Sequence, residues 1–201
     1  SPSDVLLINK TSVDSTQKYN IKENAIVGTS SARRKNQLQF FRSDAELKDL
    51  RGNVPTRVNK LREGQYDAII LAHAGLNRLE LDLSDFEVVE LPPKEFVPAA
   101  AQGVLAFQTR IEDKETIEII SQLNDQAVAD CIQVERTILN RLNGGCQSPL
   151  GAYCSKSGEI FSVWVSHAEK WEETPNRIHR EGLSQKELIE EALEALKKKV
   201  V

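Results

Sequence analysis

Residues 25–41, AIVGTSSARRKNQLQFF, decide the fold of this chain. A short apolar run enters Gly28, Thr29, Ser30 and Ser31, and a helical pattern leaves them. A strand that turns into a helix in this way directs free backbone N–H groups and hydroxyls to one spot beyond the sheet, a natural place for an anion. One of the serines is also expected to act simply as the helix cap. Arg33 and Arg34 fall in the first helical turn, where the helix dipole disfavours cations, so something negative should compensate them.

The same grammar continues outward. Between about Asn24 and Leu91, strand-like runs alternate with helical ones: LKDLRG with PTRVNKLREG, YDAIILA with AGLNRLEL, then FEVVEL. Pro55 near a helix start and Gly64 past its end fit the asymmetry of helix termini. AIILA is apolar without alternation, as a strand covered on both faces should be. These features predict βαβ units, an α/β class and a Rossmann-like, mostly parallel sheet, with ligands at the carboxyl ends of its strands. LRGNVPTR places Arg51, Asn53 and Arg57 around a turn at the next strand end, where they can approach the crevice of Arg33 and Arg34. Arg78 lies past the third strand. Forked guanidinium groups at one crevice suit carboxylates better than lysines do.

Other segments mark boundaries. DVLLI begins almost at the first residue with no earlier strand to pair with, so residues 1–20 are expected to lead out of an absent unit and to expose apolar surface. The α/β unit is read as 21–98, its end marked by the prolines of LPPKEFVP, and 99–118 as a crossing segment belonging with the absent unit, with GVLAFQTR as a possible further strand and a second exposed apolar patch. Residues 119–201 read as a small α+β domain. It holds a helix over 126–142 with Cys131 on its apolar stripe and Glu135 away from the stripe's centre, a three-stranded antiparallel sheet from PLGAYCS, EIFSVWVSHA and NRIHREG, and a last helix capped by Ser184.

The totals set limits. A chain of 201 residues with 40% hydrophobic content can form two cores, and no run approaches the roughly 20 apolar residues of a membrane helix. A cytoplasmic protein, with no membrane contact, is the expectation. The net charge of −4 and 5% aromatic residues speak against nucleic acid as a partner. Residues 28–62 nevertheless hold nine basic and three acidic side chains, which suggests a discrete anionic ligand. Within that window Lys35, Arg42, Lys48, Lys60 and Arg62 read as solvated helix face. Three cysteines without paired spacing suggest neither a disulfide framework nor a metal site. Cys146 follows Gly144 and Gly145 where a helical pattern stops, a position equally open to a functional thiol and a plain one.

In order and separation, VGTSSARR, LRGNVPTRVNKL, YDAIILAHAGLNRL, PAAAQGVLAFQTR and ERTILNRLNGGCQSPLGAY resemble porphobilinogen deaminase, also called hydroxymethylbilane synthase. The resemblance implies an α/β lobe like those of periplasmic binding proteins, followed by the α+β domain. It implies a dipyrromethane cofactor held by a thioether to Cys146, and carboxylates of cofactor and substrate held by Thr29, Ser31, Arg33, Arg34, Arg51, Asn53, Arg57, Arg78, Gln102 and Gly103. The implied activity is a monomeric transferase that joins four porphobilinogen molecules with loss of ammonia, elongates an oligopyrrole and passes its product to uroporphyrinogen-III synthase. The family's catalytic Asp, in a His-Ser-x-Lys-Asp type segment, matches nothing in these residues, so this chain alone is expected to be inactive. A glycine is usual in the family at Ala101. The competing reading is a non-catalytic small-anion-binding module, which leaves Cys146 unexplained.

Overall fold

A computed structural model describes residues 1–145 and 148–197. Its first unit is built from β1 (Asp4–Asn9), β2 (Ile26–Gly28), α1 (Ala32–Phe41), β3 (Glu46–Lys48), α2 (Val54–Arg62), β4 (Ala68–Ala72), α3 (His73–Leu79) and β5 (Phe86–Leu91). The strands form one sheet in the order β3-β2-β4-β1-β5. Alternate residues of β1 and β4 feed two different cores, as the uninterrupted apolar run requires. Leu6, Ile8, Ala68 and Ile70 join Leu38 of α1 and Phe96. Val5, Leu7, Ile69 and Leu71 join Val58 and Leu61 of α2 and Leu76 of α3 on the other face. Helices thus cover both faces of the sheet, the arrangement expected of an α/β unit.

The sheet is mixed rather than mostly parallel in its pairing. β2 pairs parallel with β3 and β4, whereas β1 runs antiparallel to both β4 and β5. Four strands therefore point one way and β1 alone is reversed. The reason lies in the connections: β2-α1-β3 and β3-α2-β4 contain the crossover helix that parallel neighbours need, while β1 returns to β2 through two short 3-10 turns and a Val13–Ile21 bridge.

Residues 1–20 are integral to this unit instead of departing from it. β1 lies inside the sheet, and Val5, Leu6, Leu7 and Ile8 have no exposed surface, against the expectation for DVLLI. Partners on both edges and cores on both faces leave that strand nothing to expose. The second expected patch is present. Residues 104–110 form no strand, and Leu105 is 74% exposed. Val104, Phe107 and Ile111 are also exposed, as are Ile117 and Ile119 of α4 (Lys114–Ser121).

The C-terminal unit comprises α5 (Gln126–Arg141), β6 (Leu150–Ser157), β7 (Ile160–His167), β8 (Asn176–Gly182) and α6 (Gln185–Lys197). Its strands pair antiparallel in the order β6-β7-β8. Phe161, Val163 and Val165 of β7 pack on α5 and α6, together with Cys131 and Cys154, both buried. On the opposite face Tyr153, Trp164 and His179 lie in register and stack across the three strands. Gly151 lets this unit approach the crossing segment: a Cβ there would stand 2.4 Å from Val97 O, and Ala152 N–H donates to Pro98 O.

Candidate anion-binding site

At the carboxyl end of β2 the chain turns through Gly28, which must lack a side chain because a Cβ would meet the Tyr66 ring at 2.8 Å. The hydroxyls that follow are already engaged. Thr29 is buried and its Oγ1 accepts from Ser31 N–H. Ser30 Oγ both donates to Leu50 O and accepts from Leu50 N–H, tying this turn to the end of β3. Ser31 caps α1 by accepting from Arg34 N–H.

The negative group that Arg33 and Arg34 require is Asp4, the first residue of β1. Its carboxylate has no exposed surface. Arg33 Nη1 donates to Asp4 Oδ2 at 2.7 Å, and Arg34 donates to Oδ1 from Nε at 3.1 Å and Nη2 at 2.7 Å. Gln102 Nε2 adds a further bond to Oδ1 at 3.0 Å. Burial is the largest influence on the Asp4 carboxyl and pushes its pKa up, yet the two guanidinium groups outweigh it and hold it below the usual carboxylate value. Asp4 was not anticipated from the sequence. Its signal is an acid placed immediately before a run that is apolar on both faces, where an ordinary surface Asp has no place.

Arg33 is turned inward. It is 5% exposed, and its fork is spent on Asp4, Val97 O at 2.9 Å and Gln102 Oε1 at 3.2 Å. Arg34 reaches Ile70 O as well as Asp4. Arg57 comes from α2 and stands near Arg34. Its Nε donates to Gly52 O, and its pKa is lowered by burial and then by the like charge of Arg34. Among the described residues Arg57 has no acidic side chain within salt-bridge distance. Two guanidinium groups thus share the Asp4 carboxylate and a third stands near them without an acid of its own among the described residues, which leaves the crevice positive.

The remaining candidates stand as follows. Asn53 caps α2, accepting from Thr56 N–H at 2.9 Å, and Arg51 is exposed beside it at the same strand ends. Gln102 bridges Arg33 and Asp4. Gly103, at φ +79°, lies so close to Ser1 O that a Cβ would be 2.3 Å away. Arg78 is exposed in the last turn of α3, about one and a half turns past the end of β4 and outside this cluster. Cys146 lies outside the described residues. Arg42, read as solvated surface, is buried instead: it pairs with Asp44 and donates to the carbonyls of Lys18, Ile21 and Lys22, closing the loop between β1 and β2.

A second buried acid, Glu135, also differs from its expected position. It is 4% exposed and accepts from Ala101 N–H at 2.7 Å and Cys154 N–H at 2.8 Å. Burial pushes its pKa up to about 7, only partly opposed by those two N–H groups. It lines a cleft of about 820 Å³ between the crossing segment and α5.

An α/β lobe that concentrates arginines at its strand ends, joined through a tight crossing to a small α+β unit, defines a two-unit protein with a candidate anion site. Comparison with known sequences makes this specific. Residues 1–118 match the family described as porphobilinogen deaminase, dipyromethane cofactor binding domain, and residues 129–169 match porphobilinogen deaminase, C-terminal domain. The chain belongs to the porphobilinogen deaminase family. It is 50% identical over 135 residues to a porphobilinogen deaminase of Roseiflexus sp., covering 67% of this chain and 44% of that protein. Over 156 residues it is 43% identical to one of Brevibacillus brevis, covering 77% and 48%. Against one of Chlorobium phaeobacteroides it is 41% identical over 175 residues, covering 86% and 55%. The chain spans about half the length of the curated relatives it matches.

Proposed function

We propose that the whole protein to which this chain corresponds polymerises four porphobilinogen molecules into hydroxymethylbilane with release of ammonia, and that this chain supplies the anion crevice and the cofactor-bearing C-terminal unit. The observation that carries the reading is the charge imbalance at the strand ends, where Arg33 and Arg34 share the carboxylate of Asp4 and Arg57, near Arg34, has no acid within salt-bridge distance among the described residues. A ligand bearing several carboxylates relieves that imbalance, and the donor set fits dipyrromethane and the oligopyrrole grown from it.

Arg34, Arg57 and the exposed Arg51 are the groups with capacity left for such a ligand, with Thr29, Ser31 and Asn53 shaping the turns that present them. When bound, the dipyrromethane supplies the pyrrole end to which each substrate is joined, through an attachment proposed at Cys146. The chain's own part is electrostatic: arginines fixed by Asp4 and by backbone carbonyls meet accumulating negative charge without reorganising. Arg33 acts through its neighbours, and Gln102 and Gly103 hold the crossing against the same cluster. Arg78 is assigned a weaker role at the rim. No catalytic side chain is assigned within these residues, and the isolated chain is proposed to be inactive, monomeric and cytoplasmic, with uroporphyrinogen-III synthase receiving the product of the whole protein. Among the described residues no helix is long and apolar enough to cross a membrane.

Intact mass of the longer protein tests the assignment. A dipyrromethane adduct lost in Cys146→Ser and kept in Cys131→Ser and Cys154→Ser is expected. An unmodified protein that binds only a small carboxylate would return the chain to the anion-binding-module reading.

A further inference from the structure

The turn at 99–103 joins the two units and is strained. Ala101 has φ +63°, in the left-handed region that a residue with a Cβ adopts at a cost. Its N–H points away from the first unit and is taken by Glu135 Oε2 on α5, while Glu135 Oε1 is anchored by Cys154 N–H of β6. The next residue, Gln102, points the other way: its side chain accepts from Arg33 and donates to Asp4 and to Pro2 O. One short turn is therefore gripped on both sides, by a carboxylate of the C-terminal unit and by the guanidinium–carboxylate cluster of the first.

We propose that Glu135 is a positioning residue for the anion crevice: by clamping Ala101 N–H onto the Cys154 backbone it holds the 99–103 turn in the form that delivers Gln102 to Arg33 and Asp4. The residue does not touch the crevice itself and acts through the turn. Two acceptor oxygens facing two N–H donors suit the ionised carboxylate best, since protonation turns one of those oxygens into a weaker acceptor that carries its own hydrogen. Protonation therefore loosens the clamp, and the raised pKa of about 7 puts that event near neutrality. The groups facing Glu135 do not override this. Cys131 on its own helix, and Cys154 and Tyr153 on β6, all have raised pKa values, burial foremost, and stay uncharged there. Lys156 on the same wall is paired with Asp130 at 2.8 Å, Asp125 caps the start of α5, and the crossing carries no titratable side chain from Val97 to Phe107.

The clamp is a property of the folded chain, whereas its consequence for ligand carboxylates rests on the proposed function. The two are separable in one set of measurements on the ¹⁵N-labelled chain. Between pH 5.5 and 8.5, the amide resonances of Ala101 and Cys154 and the side-chain amide of Gln102 are expected to move together with a midpoint about 7, and in Glu135→Gln all three are expected to stay flat. A Gln102 resonance that stays fixed while Ala101 titrates would show that the turn does not transmit, and a flat Ala101 in the wild-type chain would refute the clamp without needing any variant. Oxalate, which remains a dianion over this range, then probes the crevice: at pH 8 its affinity is expected to fall at least threefold in Glu135→Gln. Unchanged affinity would refute positioning of the crevice. No oxalate binding by the wild-type chain at any pH would sink the anion reading and leave the amide titration to decide the clamp.

Discussion

Asp4 and Glu135 are both buried carboxylates, with 0% and 4% of their surface exposed, and they hold the same turn of the crossing segment from opposite sides. One has a lowered pKa and the other is raised to about 7. Burial acts on both in the same direction, so the difference lies in their partners. Asp4 faces two guanidinium groups, while Glu135 faces only peptide N–H groups. A full opposite charge reverses the desolvation penalty, and two neutral donors reduce it without reversing it. The same contrast separates a rigid side of that turn from an adjustable one.

The largest effect expected is on the Asp4 side. Asp4→Asn leaves Arg33 and Arg34 adjacent and uncompensated in the interior, and removing one partner of such a buried cluster should cost about 3–5 kcal/mol in urea unfolding. A loss below about 1 kcal/mol would mean that the guanidinium groups find water instead, and the contrast would fail.

Next comes the pH dependence, where the two acids should pull in opposite directions. For Glu135 the folded pKa of about 7 lies above the ordinary 4.5, so the folded state holds a proton that the unfolded state has released. Its contribution is present below pH 4.5 and is lost as pH rises to 7, amounting to about 3 kcal/mol over that window. For Asp4 the folded value lies below the ordinary 3.8, so its contribution is present above pH 3.8 and is lost as pH falls below it. Unfolding free energies of the wild-type chain and Glu135→Gln from pH 4 to 8 test this. The variant should lack the neutral-range decline, and parallel curves would remove Glu135 as its source.

Glu135→Gln measured at pH 8 sharpens the contrast further. It puts an NH₂ group against one of two N–H donors, so about 1–3 kcal/mol of unsatisfied hydrogen bonding should be offset in part by relief of the buried charge. A net change much smaller than that of Asp4→Asn is expected. The smallest effect belongs to Ser31→Ala, which removes a cap near the Asp4 cluster and should cost about 1 kcal/mol without altering either pH limb.

How much of this was legible is best seen residue by residue. AIILA announced a strand buried on both faces because no polar position interrupts it, and DVLLI carried the same sign. Its role as an interior, reversed strand did not follow, because pairing partners are chosen by the whole sheet. Arg33 and Arg34 in a first helical turn announced a missing negative charge, while the identity of that charge depended on a contact between residues about 30 positions apart. Glu135 was misplaced although its spacing contained the clue: it stands four residues after Cys131 and three before Ile138, on the apolar stripe itself. A charged residue on such a stripe marks a buried acid in need of donors. Arg42 shows the converse, an apparently solvated cation whose fork is filled by backbone carbonyls.

The sequence by itself determined the two kinds of unit, their order, and the concentration of arginines at strand ends, because periodicity and local turn chemistry act over a few residues. Only the tertiary structure decided which of those arginines are spent internally, which acid balances them, and that Glu135 and Gln102 grip one turn from opposite sides. Those outcomes depend on desolvation and on which distant backbone groups come to lie within hydrogen-bonding reach.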